Sequence, residues 1–85
     1  MGKKLKPVEI ISRALWSGDD LRRYELIVID RAIEGGIRKI SLSQVVKVHK
    51  DRVIIRSTTG YSVIPIHRVV GIVKDGEVIW SRESA

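Results

Sequence analysis

The amino-acid sequence predicts an α+β domain, with one N-terminal helix packed on a mainly antiparallel sheet of about five or six strands built from a repeated turn-hairpin unit. Three observations predict it. Apolar residues recur at helical spacing just after Pro7, the rest of the chain is cut into short Val- and Ile-rich runs by turn residues, and one of those runs repeats another at an offset of 24.

The helix comes first. Val8, Ile11 and Leu15 stand at i, i+3 and i+7 with Ile10 and Ala14 beside them, while Glu9, Ser12 and Arg13 face away. Pro7 suits the first helical position, Glu9 sits in the first turn within reach of Arg13, and Gly18 supplies the stop. Residues 1–6, MGKKLK, are expected to form a flexible basic tail. "GDDLRR" reads as a loop or one helical turn. "YELIVIDR" then reads as a strand, apolar on both faces between residues 26 and 29 and therefore central in its sheet. "IEGG" is the turn that follows.

In the repeat, "ISLSQVVKVHKDRVIIRS" lies over "IPIHRVVGIVKDGEVIWS", with Gly76 as the one extra residue of the second copy. Ile40 matches Ile64, Val45 and Val46 match Val69 and Val70, Lys50 and Asp51 match Lys74 and Asp75, and Val53 and Ile54 match Val78 and Ile79. Each copy reads as a short turn feeding a hairpin, the first turning at Lys50 and Asp51, the second at Asp75 and Gly76. "STTG" makes a further tight turn, and the strand "YSVIPI" should end, or lie at an edge, where Pro65 removes a ladder donor.

Composition narrows the function. A chain of 85 residues makes a single small domain, residues 1–85. Such a domain buries only about 60% of the surface its unfolded chain exposes, so any site lies on the surface. With 44% hydrophobic and 31% charged residues the chain is globular rather than disordered. The absence of cysteine excludes disulfides, thiol chemistry and cysteine-ligated zinc. No metal or cofactor is expected. No apolar run is long enough for a membrane span, and "MGKKLKPVEII" has no apolar core followed by a cleavage site, so no membrane partner and a cytoplasmic location are expected. Asn is absent and Gln occurs once amid abundant Ile, Val, Arg and Lys, a composition that fits a thermophile. The net charge of +6 favours an anionic partner, and for a small domain that points to nucleic acid.

Within the repeat, Ser41 and Gln44 have the spacing of a capping box, and a helical turn is expected to start at Ser41. The aligned residues in the second copy are Pro65 and Arg68, which leaves that turn's amides unclaimed and sets a guanidinium beside them. His67 adds a donor that carries charge when it lies against phosphate. The competing structural reading has Pro65 merely ending a strand and Arg68 pairing with an acid such as Asp30. Arg31, Arg38 and Lys39 are further candidates to converge on this corner, with a solvated turn as the competing reading for Arg38 and Lys39. Tyr61 is the candidate for stacking on a base, whereas Trp16 and Trp80 are expected to pack in the core.

The run Ile64, Pro65, Ile66, His67, Arg68, Val69, followed by "GIVKDGEVIW", resembles a family of small archaeal proteins described as the RNA cyclic-group-end recognition domain. Eukaryotic copies in that family are attached to RNA-processing phosphoesterase domains. The resemblance spans the whole chain, from the initial helix through the Tyr24-led strand to the repeat. It implies recognition of RNA ends, with RNA as the partner and RNA-processing enzymes as possible associates. The family typically carries a second His-Arg-Gly at the end of the first strand. Asp30, Arg31 and Ala32 stand there in this chain, so of that motif only the arginine is kept.

The expected function is therefore a non-catalytic RNA-binding module that holds a terminal or 2′,3′-cyclic phosphate. In it Arg68 and Arg31 supply charge, His67 a hydrogen bond, Tyr61 stacking, and Arg38 and Lys39 further cations. Two other classes remain open. A protein-interaction module would pair an exposed strand with a partner or a second copy of itself. A small RNA-processing phosphodiesterase would use His49 and His67 as base and acid, although His49 aligns with Val73, on a hairpin strand.

Overall fold

A strand whose side chains are apolar on both faces belongs between two neighbours rather than at an edge, and the central strand of this protein has that composition. The computed structural model describes residues 6–32 and 35–82. Tyr24–Ile29 forms β1, flanked on one side by β2, Ile37–Ser41, and on the other by β6, Val69–Lys74, both antiparallel to it. Strand β7, Glu77–Ser81, completes a four-stranded sheet in the order β2-β1-β6-β7. The strands β3, Val45–Val48, β4, Arg52–Ser57, and β5, Gly60–Pro65, form a separate three-stranded antiparallel sheet in that order. The α+β class holds. Among the described residues the strands number seven and divide between two sheets, where the sequence suggested one sheet of five or six.

The helix α1, Pro7–Ser17, begins with proline at its first turn and ends at Gly18, whose φ of 82° is the left-handed conformation that glycine adopts without penalty. Ile11 and Ala14 are buried, as their spacing demands. Trp16 is 89% exposed, contrary to the expectation that both tryptophans pack inside. Five residues beyond Ile11, it lies about 140° around the helix from the buried stripe. Trp80, by contrast, packs against the core. "GDDLRR" contains the 3-10 turn Leu21–Arg23, capped by Asp20. Ile33 and Glu34 of the predicted turn, and residues 1–5 of the predicted basic tail, lie outside the described residues.

The repeat explains why there are two sheets. Each copy is a lead strand, a 3-10 turn and a hairpin: β2, Leu42–Gln44 and β3-β4 in the first, β5, Ile66–Arg68 and β6-β7 in the second. The first copy leaves its lead strand in the four-stranded sheet and sends its hairpin to the three-stranded one. The second does the reverse. The two 3-10 turns are thus the two crossovers between sheets. Equivalent irregularities follow them, because Val46 and Val70, which match in the repeat, are each skipped in the strand register. The second hairpin turns on Asp75 and Gly76, both at positive φ (53° and 80°), as a two-residue primed turn requires.

Helix and sheets share one buried cluster. Ile11, Leu26, Ile40, Leu42, Val53, Ile55, Val69 and Ile72 are fully buried in it, and no polar side chain among the described residues is buried. Each such aliphatic side chain contributes about 1.5–3 kcal/mol by leaving water. The charged groups among the described residues are left at the surface.

Candidate nucleic-acid interface

The second crossover is built by three neighbours. Pro65 ends β5 at the edge of its sheet, with an extended backbone (φ −59°, ψ 137°) and no side-chain cap on the turn. The amide of Ile66 donates to the Asp51 carbonyl at 2.9 Å, which ties the turn to the β3-β4 hairpin. The turn's amides are therefore not all unclaimed, as the loss of a capping side chain had suggested. From the other side, the Arg82 guanidinium donates to the carbonyls of Ile66 (3.1 Å) and Val69 (3.2 and 2.9 Å) and lies over the Trp80 ring at 5.4 Å. Arg82 thus holds the turn's carbonyl end in place. No sequence signal marks it, since its hydrogen-bond partners are main-chain atoms.

So fixed, the turn presents His67 and Arg68 to solvent. They line a cleft of 260 Å³ with Ile29 and Arg31, the latter arriving from the end of β1. Neither Arg31 nor Arg68 is paired with a carboxylate among the described residues. Asp30 does not take Arg68: its carboxylate accepts from the Ala32 amide at 3.0 Å and lies 3.9 Å from Arg38. A second cleft, of 130 Å³, adjoins the first through Arg68 and Ile29, and Asp30, Arg38, Ser62, Val63 and Pro65 also line it. A third hollow, of 230 Å³, adjoins through His67 and is lined by Lys6, Lys50 and Arg82 among others.

The candidates thus separate. Arg31, His67 and Arg68 share one cleft, and Arg38 borders the adjoining one. Lys39 does not join them, because neighbouring strand residues face opposite ways and its register partner is Ile27, on the outer face of the four-stranded sheet. Tyr61 stands on β5, opposite Arg56 and 68% exposed, outside both clefts. The fold brings Lys6, the last residue of the basic tail, and Lys50, read in the sequence only as a hairpin-turn residue, to the His67 side of the corner. His49 lies at the β3-β4 turn and lines none of these three hollows.

Chemically, two unpaired guanidinia and an imidazole around one concavity suit a polyoxyanion. Charge-assisted N–H···O bonds are about twice as strong as neutral ones, and the guanidinium fork matches phosphate geometry. A further hollow, 390 Å³ between α1 and β6-β7, has a different character. Three of its polar groups are engaged with one another: the Tyr24 hydroxyl donates to Asp19 at 2.6 Å and Lys74 lies 3.6 Å from the same carboxylate. The Tyr24 hydrogen bond, with the Lys74 charge, holds the Asp19 carboxyl below its usual value.

Residues 5–82 match the family described as the MJ1316 RNA cyclic group end recognition domain. The chain belongs to this family. Its curated relatives are archaeal. A UPF0248 protein of Metallosphaera sedula is 36% identical over 72 residues, covering 85% of this chain and 86% of its own. A UPF0248 protein of Saccharolobus islandicus is 38% identical over 61 residues, covering 69% and 75%. One from Methanopyrus kandleri is 33% identical over 64 residues, covering 75% and 81%. No solved structure matches the chain. The family's description names recognition and indicates no enzyme class. No helix among the described residues is long and apolar enough to cross a membrane.

Proposed function

We propose that this protein is a non-catalytic RNA-binding module whose second crossover holds a phosphate at an RNA end, open or 2′,3′-cyclic. The observation that carries this reading is the meeting of Arg31, His67 and Arg68 on one cleft with no carboxylate partner for either arginine among the described residues. The family's description supports the ligand class. Arg68 and Arg31 donate to the phosphate oxygens, and His67 adds a donor that gains charge beside an anion. A shallow cleft is enough, since RNA ends present unstacked bases and free hydroxyls. A single imidazole at the cleft favours holding over cleavage, because cleavage through a cyclic phosphate draws on a base and an acid. RNA-processing enzymes are natural associates of such a module, and the cytoplasm a natural location.

The test is a titration of end-phosphorylated RNA oligonucleotides at several salt concentrations against wild type and Arg68→Ala. The variant should bind at least ~10-fold more weakly, with a salt slope shallower by about 0.7, the value for one phosphate contact on a single strand. Equal affinity in the two proteins would remove the site.

A second reading rests on the outer face of the four-stranded sheet, where Ile29, Ile37 and Val78 are exposed. An apolar sheet face of this kind suits self-association. Sedimentation that shows a concentration-independent monomer would dismiss it.

A further inference from the structure

The outer face of the three-stranded sheet is basic and carries an exposed aromatic ring. Strands β3, β4 and β5 contain Lys47, Arg52 and Arg56 and not one carboxylate. Strand alternation sends Val53, Ile55 and Ile64 into the core and leaves Lys47, Arg52, Arg56, Tyr61 and Val63 exposed on the other side. The register places them in rows: Arg56 faces Tyr61, Ile54 lies between Lys47 and Val63, and Arg52 faces Pro65. Directly opposed side chains on such a face have Cβ atoms about 4.5–5.5 Å apart, so Tyr61 and Arg56 leave the sheet side by side.

The Tyr61 ring is open. Lys74 lies over the Tyr24 ring at 5.2 Å and Arg82 over the Trp80 ring at 5.4 Å, whereas no cation covers Tyr61 among the described residues. Lys47 and Arg56 have no carboxylate partner there either, and only Arg52 is paired, with Asp51 at 2.9 Å. This face is also continuous with the candidate cleft. Val63 and Pro65 line the hollow that Arg68 shares, and Tyr61 is two residues from Val63 along the same strand. From Tyr61 to Pro65 the strand covers about 13 Å, at ~3.3 Å per residue. A mononucleotide docked at Arg68 does not reach Tyr61, whereas a chain of several does.

We infer that this face is a single-strand track: the nucleotides leading to the bound end run over β5, with a base stacked on Tyr61 and phosphates set against Arg56 and Lys47. The inference rests on the RNA-end reading and adds the substrate class, an unpaired RNA segment rather than a flush duplex end. The reasons are charge complementarity, an unoccupied aromatic face, and continuity with the cleft. A backbone-tracking basic surface with aromatic stacking tolerates any base sequence, so the track adds affinity and selects for single-strandedness.

The test uses two probes with the same 2′,3′-cyclic phosphate, a mononucleoside and a single-stranded octanucleotide, plus the octanucleotide annealed into a flush duplex. Wild type should bind the free octanucleotide best. Tyr61→Ala should weaken octanucleotide binding roughly 10-fold and leave mononucleoside binding unchanged, and Tyr61→Phe should restore it. Lys47→Ala with Arg56→Ala should lower the octanucleotide salt slope by about 1.4, at ~0.7 per phosphate. Octanucleotide affinity that falls with Arg68→Ala but ignores Tyr61→Ala and the double variant overturns the track and leaves the corner standing. Dependence on Tyr61 without dependence on Arg68 supports the track and overturns the corner. Equal affinity for the single strand and the flush duplex overturns the track.

Discussion

The two crossovers occupy equivalent places in the repeat and carry opposite chemistry. At the first, the Ser41 hydroxyl accepts from the Ser43 amide at 3.3 Å, Leu42 is wholly buried, and the Gln44 side chain donates to the Arg56 carbonyl at 3.2 Å. The cations beside it are occupied: the turn packs against Leu21–Arg23, whose Arg22 pairs with Asp20 at 3.0 Å and whose Arg23 is hydrogen-bonded to Asp75 at 2.9 Å. At the second, the same 3-10 geometry begins at Pro65, keeps Ile66 only half-buried, and ends with His67 and Arg68 turned to solvent. One backbone device, moving a chain from sheet to sheet, has thus been finished once with the neighbouring cations paired and once with its own cations turned to solvent. The difference lies in side chains alone, which is how folds acquire functions without changing shape.

Removing the charges from the second crossover should have the largest effect. Arg31→Ala with Arg68→Ala should weaken RNA-end binding by at least ~100-fold, since each charge-assisted bond contributes ~1.5–3 kcal/mol. Because both residues are exposed, the thermal midpoint should stay within a degree or two of wild type. A comparable loss of folding would mean that these arginines serve the fold instead.

Chemistry can also be moved between the crossovers. His67→Ser with Arg68→Gln gives the second turn the two exposed side chains of the first. It should cut the preference for a phosphorylated over a hydroxyl end by about 10-fold, read by fluorescence anisotropy. The reverse change, Gln44→Arg, should create no phosphate site, because Arg22 and Arg23 beside that turn are already held by carboxylates. Gain of phosphate binding there would show that one arginine on such a turn suffices.

These contrasts show what the sequence could and could not reveal. The helix limits, the central place of β1, the two hairpin turns and the stop at Pro65 were legible because each depends on local chemistry: periodicity, positive φ, a missing amide. The repeat was legible too, but not that each copy splits across two sheets, since the pairing of the distant strands β6 and β1, which parts the second hairpin from β5, is decided by tertiary packing. The capping box was half right: Ser41 caps the turn, but to Ser43 rather than Gln44, and Gln44 reaches forward to β4 instead of back. At the site, Arg38 and Lys39 could not be told apart without the register that sends them to opposite faces. Tyr61 was singled out correctly as exposed, but its distance from the corner needed the fold.

The smallest effect is expected at the paired end. Arg23 holds the Asp75 carboxyl below its ordinary value of 3.8, by hydrogen bond first and charge second. A carboxyl depressed by folding stabilises the native state above its unfolded pKa, and that contribution is lost as pH falls through the lower folded value. Asp75→Asn should therefore flatten the acid limb of stability below about pH 3.8, lower the thermal midpoint at neutral pH by a few degrees at most, and leave RNA affinity unchanged. Thermal melts across pH check this.

The most direct measurement is an amide chemical-shift titration of the whole protein with a nucleoside 2′,3′-cyclic phosphate. The account predicts shifts centred on residues 66–69 and on Arg31, with residues 41–45 silent. Equal perturbation of both crossovers, or perturbation confined to the first, would contradict it.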